Sequence, residues 1–243
     1  MAQTAKANGK AKSRITTGRA VAKTTRLEVP AIRYGAVDIT VRGTEPLLVH
    51  AWGVKSRGEM RDKQMGKPTK KKEPKDPAAC YFETMYIIKG DPKRDQPDPE
   101  KPVSSKKASA VHGFPAAGFR KAMIRGAKLA GAVMTDARCA FNIKGSEENL
   151  VPLSFAEVKI REDMVRVGGG TADLRYRAIY HGWSATLPVR FNSSMMEVDQ
   201  IVNLLRLAGF SVGVGEHRPE RDGVFGCFAV DPKSIKNVEY TEI

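Results

Sequence analysis

The stretch Gly209-Phe-Ser-Val-Gly213-Val-Gly215-Glu-His217-Arg218-Pro-Glu-Arg221-Asp-Gly223-Val-Phe225-Gly226-Cys-Phe228 constrains the fold more than any other part of the chain. A strongly helical pattern precedes it and a strand pattern follows it, so a helix and a strand are joined here by a loop in which glycines recur every few residues. Glycine takes backbone conformations that side chains forbid and lets a second backbone approach closely. With Arg218 and Arg221 between the glycines, the loop suits a phosphate chain, guanidinium groups pairing in forked geometry and amides such as those of Gly213 and Gly215 adding neutral donors. A dinucleotide fingerprint needs the opposite order, strand then glycines then helix, and no Gly-Lys-Ser/Thr follows the glycines. A Rossmann turn and a P-loop are therefore excluded.

Charge points the same way. Lys and Arg number 41 against 27 Asp and Glu, a formal net charge of +14 over 243 residues. An excess of this size marks a polyanionic partner, nucleic acid or an anionic surface. Aromatics make up only 7% of the chain, so base-stacking platforms must be sparse. No apolar run is long enough to span a bilayer and no apolar segment of a secretory leader opens the chain, which predicts a cytoplasmic protein with no membrane partner. Cys80, Cys139 and Cys227 form no CxxC pair and no zinc spacing, and the acids fall at no metal-ligand spacing. We expect neither metal nor cofactor, and read the thiols as small buried residues.

Residues 1–33 carry Lys6, Lys10, Lys12, Arg14, Arg19, Lys23, Arg26 and Arg33 against a single acid, Glu28, with no apolar period. That composition predicts a disordered basic tail, attracted nonspecifically to phosphates. Order starts near Tyr34, and residues 34–243 read as one domain. Val37, Ile39 and Val41 alternate with polar residues as in a half-buried strand, and Leu47-Leu48-Val49 resumes the apolar signal after a turn. Two basic, Pro-rich insertions follow, at 53–79 and 90–110. The first holds Lys67, Lys70, Lys71 and Lys72 and room for a short helix at 57–65; a strand is expected between them at 81–89. Residues 115–131 are helical: Phe119, Met123, Ala127 and Ala130 form the core face, and Lys121, Arg125 and Lys128 form a basic stripe on another. Strands are expected at 138–143, 151–160 and 174–191, the last a bent hairpin containing Arg175 and Arg177. Residues 161–173, with Arg166 and three glycines, read as a flexible connection. A second helix covers 195–208, with a capping-box spacing at Ser194 and Glu197. A final strand spans 224–230, with Phe225 and Phe228 on opposite faces, and one more short strand fits after Pro232.

Two helices packed on one side of an antiparallel sheet define the expected class: α+β, ferredoxin-like (RNA-recognition-motif-like), with large basic loop insertions. Three motifs then line up with a known family. Val41-Arg-Gly-Thr44-Glu-Pro46-Leu47-Leu48-Val-His50, Gly113-Phe-Pro115-Ala-Ala-Gly118-Phe119-Arg120-Lys121-Ala122 and the glycine loop from Gly213 to Gly226 resemble, in order, the turn after the first strand, the start of the first helix and the C-terminal glycine loop of the RAMP superfamily of CRISPR effector complexes. The resemblance covers about residues 36–230 and is nearest to the filament-forming backbone subunits. It implies binding along a single strand of nucleic acid, homo-oligomerisation, and insertions that wedge between nucleotides. The phrase Gly213-Val-Gly-Glu-His-Arg-Pro-Glu-Arg-Asp-Gly223 is similar to RAMP-like proteins encoded by bacteriophages. Glu216 and Glu220 depart from the basic character of the family's loop.

The expected function is a non-enzymatic, single-stranded nucleic-acid-binding protein, for RNA or DNA, that polymerises along its ligand. Its candidate contacts are Lys67, Lys70, Lys71, Lys72, Lys121, Arg125, Lys128, Arg166, Arg175, Arg177, Gly213, Gly215, His217, Arg218 and Arg221. Two alternatives stay open: a metal-independent RNA endonuclease of the same superfamily, drawing on His50, His112, His181 or His217, and a structural or adaptor protein of phage assembly.

Overall fold

A computed structural model of the chain describes residues 31–68, 74–95, 103–146, 148–167 and 170–242. Nearly all of the expected basic tail, and Lys70, Lys71 and Lys72, lie outside the described residues. In chain order the first elements are β1 (Arg33–Gly43), β2 (Leu47–Leu48), α1 (Val54–Gln64), α2 (Pro77–Glu83), β3 (Tyr86–Gly90), β4 (Ala110–Pro115), α3 (Ala116–Leu129) and α4 (Met134–Ala140). Then come β5 (Phe141–Ile143), β6 (Leu150–Ser154), β7 (Glu157–Val167), β8 (Thr171–His181), β9 (Ser184–Asn192), α5 (Val198–Leu207), β10 (Phe228–Val230) and β11 (Lys236–Glu242).

The fold is α+β with antiparallel sheets. The main sheet runs β10-β1-β9-β6-β4-β3, with β11 on the same side of β1 as β10 and β5 on the same side of β9 as β6. A smaller sheet runs β2-β8-β7. Alternation in β1 does what period-2 patterning requires, burying Val37, Ile39 and Val41. Its partner β9, in register from Tyr34 opposite Asn192 to Arg42 opposite Ser184, buries Ala185, Leu187, Val189 and Phe191 in the same core. Phe119, Met123 and Ala127 of α3 and Ile201, Val202 and Leu205 of α5 join that core. Gly126 lets α3 approach the end of α5 closely, since a Cβ there would lie 3.3 Å from the Ala208 amide nitrogen. Trp183 anchors the junction of the two sheets: it is buried, packs against Phe119 and Phe228, and donates its indole N–H to the Glu45 carbonyl at 2.8 Å.

Several expectations are corrected. The strand expected at 81–89 is a helix, α2, in its first part: Asp76 caps it through its carboxylate on the Ala78 amide at 2.9 Å, and Pro77 sits where a missing N–H costs nothing. Only residues 86–90 are extended. The end of the second insertion and the residues after it form β4, and 138–140 belong to the helix α4. Residues 161–173 are no loose connection: β7 and β8, each 11 residues long, pair from Glu157 opposite His181 to Val167 opposite Thr171. At ~3.3 Å per residue this hairpin is about 35 Å long. β8 and β9 do not pair with each other. The chain leaves the small sheet at Gly182, φ +57, and enters the main one at Ser184, a switch that continuous alternation hides. The capping box of α5 is Glu197 with Gln200, one turn later than the Ser194 spacing suggests. No cysteine is buried; Cys139 is exposed and the other two are partly so. Of the expected final strand at 224–230 only Phe228–Val230 is extended; Phe228 is core, whereas Phe225 lies in the loop before it and is half-buried.

One buried polar group sets a pH limit. His112 on β4 is 2% exposed, shares a 2.8 Å hydrogen bond between Nδ1 and the Tyr180 hydroxyl, and leaves Nε2 without a partner. Burial pushes its pKa from 6.5 down to about 4, against a small opposing pull from Asp95. The unfolded chain therefore binds a proton that the fold rejects. Stability from this group is full above about pH 6.5 and falls as pH drops toward 4, by about 3 kcal/mol in all. Denaturant melts of wild type and His112→Gln between pH 7 and pH 4 check this: the wild type loses more stability over the interval, and parallel curves would contradict it.

Candidate nucleic-acid interface

The glycine loop starts where α5 runs out through one π-helical turn, Ala208–Val212, and Gly213 turns the chain at φ +71. From there the loop lies against the Pro46-Leu47-Leu48 segment. The Glu216 amide donates to the Leu48 carbonyl at 2.8 Å, the Gly226 amide to the Pro46 carbonyl at 2.8 Å, and the Val214 amide to the Gly226 carbonyl at 3.0 Å. This double approach of backbones dictates glycine at two positions. A Cβ on Gly215 (φ +81) would lie 2.4 Å from the Leu48 oxygen, and one on Gly226 (φ +71) 1.7 Å from the Val214 oxygen. The expectation that glycine amides face a ligand is therefore corrected for much of the loop. The Gly213 amide is engaged by the Ala208 carbonyl at 2.9 Å and that of Gly223 by the Arg218 carbonyl at 3.1 Å, besides Gly226. The first and third family-like motifs are thus one structural unit.

Two kinds of cation surround this unit. On the α3 side they are exposed, or in the case of Arg218 partly so. Lys121, Arg125 and Lys128 share the solvent face of α3, and Arg125 reaches the loop, its Nε 3.0 Å from Glu220 Oε1. Arg218 is fixed from both ends: Nη1 donates to the Gly215 carbonyl at 3.0 Å, while Nε and Nη2 donate to Glu220 Oε2 at 3.1 and 2.8 Å. Arg221 is exposed.

On the hairpin side the cations are interior or flanking. Arg177 of β8 is 1% exposed. Its Nη2 donates to Asp163 Oδ2 at 2.8 Å and lies 3.4 Å from His217 Nε2; Nη1 is 4.0 Å from Glu216; Nε has no partner. It departs from the open phosphate ligand the sequence suggests and acts as a brace between hairpin and loop. Arg161 on β7 adds to that brace. It donates to Asp163 Oδ1 at 2.8 Å, and its guanidinium carbon lies 4.9 Å from the Phe225 ring centroid. Arg175 is 3.9 Å from Asp173, and Arg166 is exposed farther along the hairpin. Lys67, in the first insertion, is bound to Asp62 at 2.8 Å.

His50 is exposed as a residue and stands beside the same unit. Partial desolvation of its ring holds its pKa below the ordinary value; Glu216 pulls upward, and Arg175 and Arg177 push down. Among the described residues no group of three His, Cys, Asp or Glu is placed to hold a metal ion, and no helix is long and apolar enough to cross a membrane.

Three participants escape a reading by composition: Arg161 and Asp163, which lie in what looks like a linker, and Glu220, which looks like a mere loss of positive charge. The alternation Arg161-x-Asp163 within 157–167 is the signal that would have placed the first two on one face of a strand.

No protein-family model matches the chain, and no curated protein matches its sequence. Among solved structures, it is similar to a chain in the cryo-EM structure of the Type III-B Cmr-beta bound to cognate target RNA, with a TM-score of 0.42 and 8% identity. The match covers 86% of this chain and 61% of that one, so the chain spans about three-fifths of the length of the protein it matches.

The two kinds of cation separate on mutation. Asp163→Ala strands the buried Arg177 and is expected to cost about 3–5 kcal/mol in urea unfolding, whereas Arg218→Ala, at a partly exposed pair, costs less than about 1 kcal/mol. Equal losses would contradict the division. Gly226→Ala forces a side chain into the Val214 carbonyl at positive φ and is expected to cost about 3 kcal/mol or more by the same measurement.

Proposed function

We propose that the protein is a non-enzymatic, single-stranded nucleic-acid-binding protein, for RNA or DNA, that assembles along its ligand. The observation carrying this reading is the position of the glycine loop. On one side it is tied to the basic stripe of α3 through Arg125 and Glu220, and on the other to the β7–β8 hairpin through Arg177 and Arg161. Lys121, Lys128, Arg221, Arg175 and Arg166 therefore belong to elements joined through a single loop, and the exposed cations of that set form the proposed phosphate track.

A ferredoxin-like scaffold of the RAMP type is part of the proposal. What supports it is connectivity: β1, α3, β5, β9, α5 and β10 follow one another in that order, and their strands stand as β10-β1-β9-β5. The remaining elements are insertions into this frame, except β11, which extends it after β10. The resemblance of the loop to phage-encoded RAMP-like proteins supports a cytoplasmic role in phage nucleic-acid metabolism. For assembly, support comes from Phe210, 83% exposed on the π turn, and the exposed Leu129 on the helix that turn packs against.

Titrating a labelled single-stranded oligonucleotide across a range of salt tests the reading. Affinity is expected to fall steeply with salt, and Lys121→Gln/Lys128→Gln to flatten the log–log slope by about 1.4, at ~0.7 per phosphate contact on a single strand. Electron microscopy before and after nuclease treatment tests assembly, with particles expected to shorten or dissolve. Affinity that does not change with salt would overturn the binding claim.

A further inference from the structure

Glu220 is the odd member of the proposed track: a carboxylate held by the cations that are meant to meet phosphate. Its geometry is specific. Each oxygen has its own guanidinium, Oε1 that of Arg125 at 3.0 Å and Oε2 that of Arg218 at 2.8 and 3.1 Å. The two arginines come from different elements, the middle of α3 and the glycine loop. Arg218 would keep its place without the acid, since Nη1 is also bound to the Gly215 carbonyl. Arg125 and Arg218 have side-chain exposures of 51% and 28%, and Glu220 27%, so the cluster opens to solvent and can be reached by a ligand.

Two guanidinium groups converging on the two oxygens of one anion are also a phosphodiester clamp, because arginine presents the same forked donors to carboxylate and phosphate. We propose that Glu220 is an internal surrogate for a backbone phosphate. It holds Arg125 and Arg218 in a binding-ready arrangement when the protein is empty, and it is displaced when a strand phosphate takes its place between them. The proposal rests on the reading of the protein as a single-strand binder and adds a regulation of that site: binding must overcome a built-in competitor. The competitor is weak by construction, since exposed and half-exposed ion pairs are easily exchanged. It also prevents two neighbouring arginines from repelling each other in the empty state.

The test compares wild type with Glu220→Gln, which keeps the shape of the side chain and removes its charge. Fluorescence anisotropy with a short fluorescein-labelled oligouridylate, and with its deoxy counterpart, reads the affinity. Glu220→Gln is expected to bind about three- to tenfold tighter at low salt, with the advantage shrinking as salt rises. Adding Arg125→Ala or Arg218→Ala to Glu220→Gln removes the gain, as a coupled triad requires. Glu239→Gln on β11, beside the Arg33 end of β1 rather than its Gly43 end, gives no comparable gain.

Equal or weaker binding by Glu220→Gln while wild type binds with the expected salt dependence overturns the surrogate role and leaves the single-strand reading standing. A gain matched by Glu239→Gln reduces the effect to net charge and overturns it as well. Absence of binding by both forms overturns both readings. Should Glu220→Gln lower the melting temperature, Glu220→Ala, which also removes the charge, carries the test at a temperature at which it is folded. It binds tighter than wild type at low salt, and equal or weaker affinity overturns the proposal.

Discussion

Everything in the interface depends on one close approach of backbones, the glycine loop against Pro46-Leu47-Leu48. The Leu48 and Pro46 carbonyls take the Glu216 and Gly226 amides; a side chain at 215 would strike the Leu48 carbonyl, and one at 226 the Val214 carbonyl within the loop itself. Through that contact, residues some 170 positions apart in sequence become one hydrogen-bonded unit, because β2 is itself paired with β8 and β8 with β7. The hairpin, the loop and the turn after the first strand are thereby joined backbone to backbone, which constrains where the cations they carry stand. A charged surface on loose segments would attract a polyanion without shaping it; a charged surface on this unit has a geometry.

The arginines around the loop show why net charge alone is a poor guide to which residues meet a ligand. Arg177, on β8 against the loop, and Arg218, within it, both bind carboxylates. Arg177 is sealed between Asp163, His217 and Glu216, where withdrawing a partner leaves a charge stranded away from water. Arg218 faces solvent in part, and its partner is replaceable by another anion. The first is structural cement for the hairpin; the second belongs to the proposed site. Burial, and not residue type, makes the difference.

Sequence periodicity located the parts that a core demands. Val37, Ile39 and Val41 of β1, the apolar face of α3 at Phe119 and Met123, and the stripe of α5 are legible because burial of one face imposes period 2 or period 3.6. The basic stripe of α3 was legible as the complement of that face. Failures have equally local causes. At 77–83 a Pro at the first helical position and an Asp cap outweigh aromatic residues that favour strands. The break between β8 and β9 leaves no trace in the alternation, since both strands bury one face in one core. Within the hairpin, 161–173 reads as a connection because its outer half is exposed, and a strand with no buried face has no apolar period to read. The roles of Arg161, Asp163 and Glu220 depend on tertiary neighbours from other elements, which no spacing within a segment encodes.

A loop that carries its own anions has a consequence for how such a protein would hold a strand. If a phosphate gains Arg125 and Arg218 only by releasing Glu220, each site exchanges one pair of charged contacts for another, and the net free energy of a single site is small. Strong attachment then has to come from repetition. Several sites on one unit, or several copies of the unit along one strand, convert weak exchanges into intramolecular steps whose effects multiply. On the proposed reading, a self-neutralised loop would favour long strands over short ones and discriminate against isolated phosphates and small anions. On this argument the acids that seem to weaken the motif are what make assembly along a polymer, rather than capture of a monomeric anion, the mode of binding the site suits.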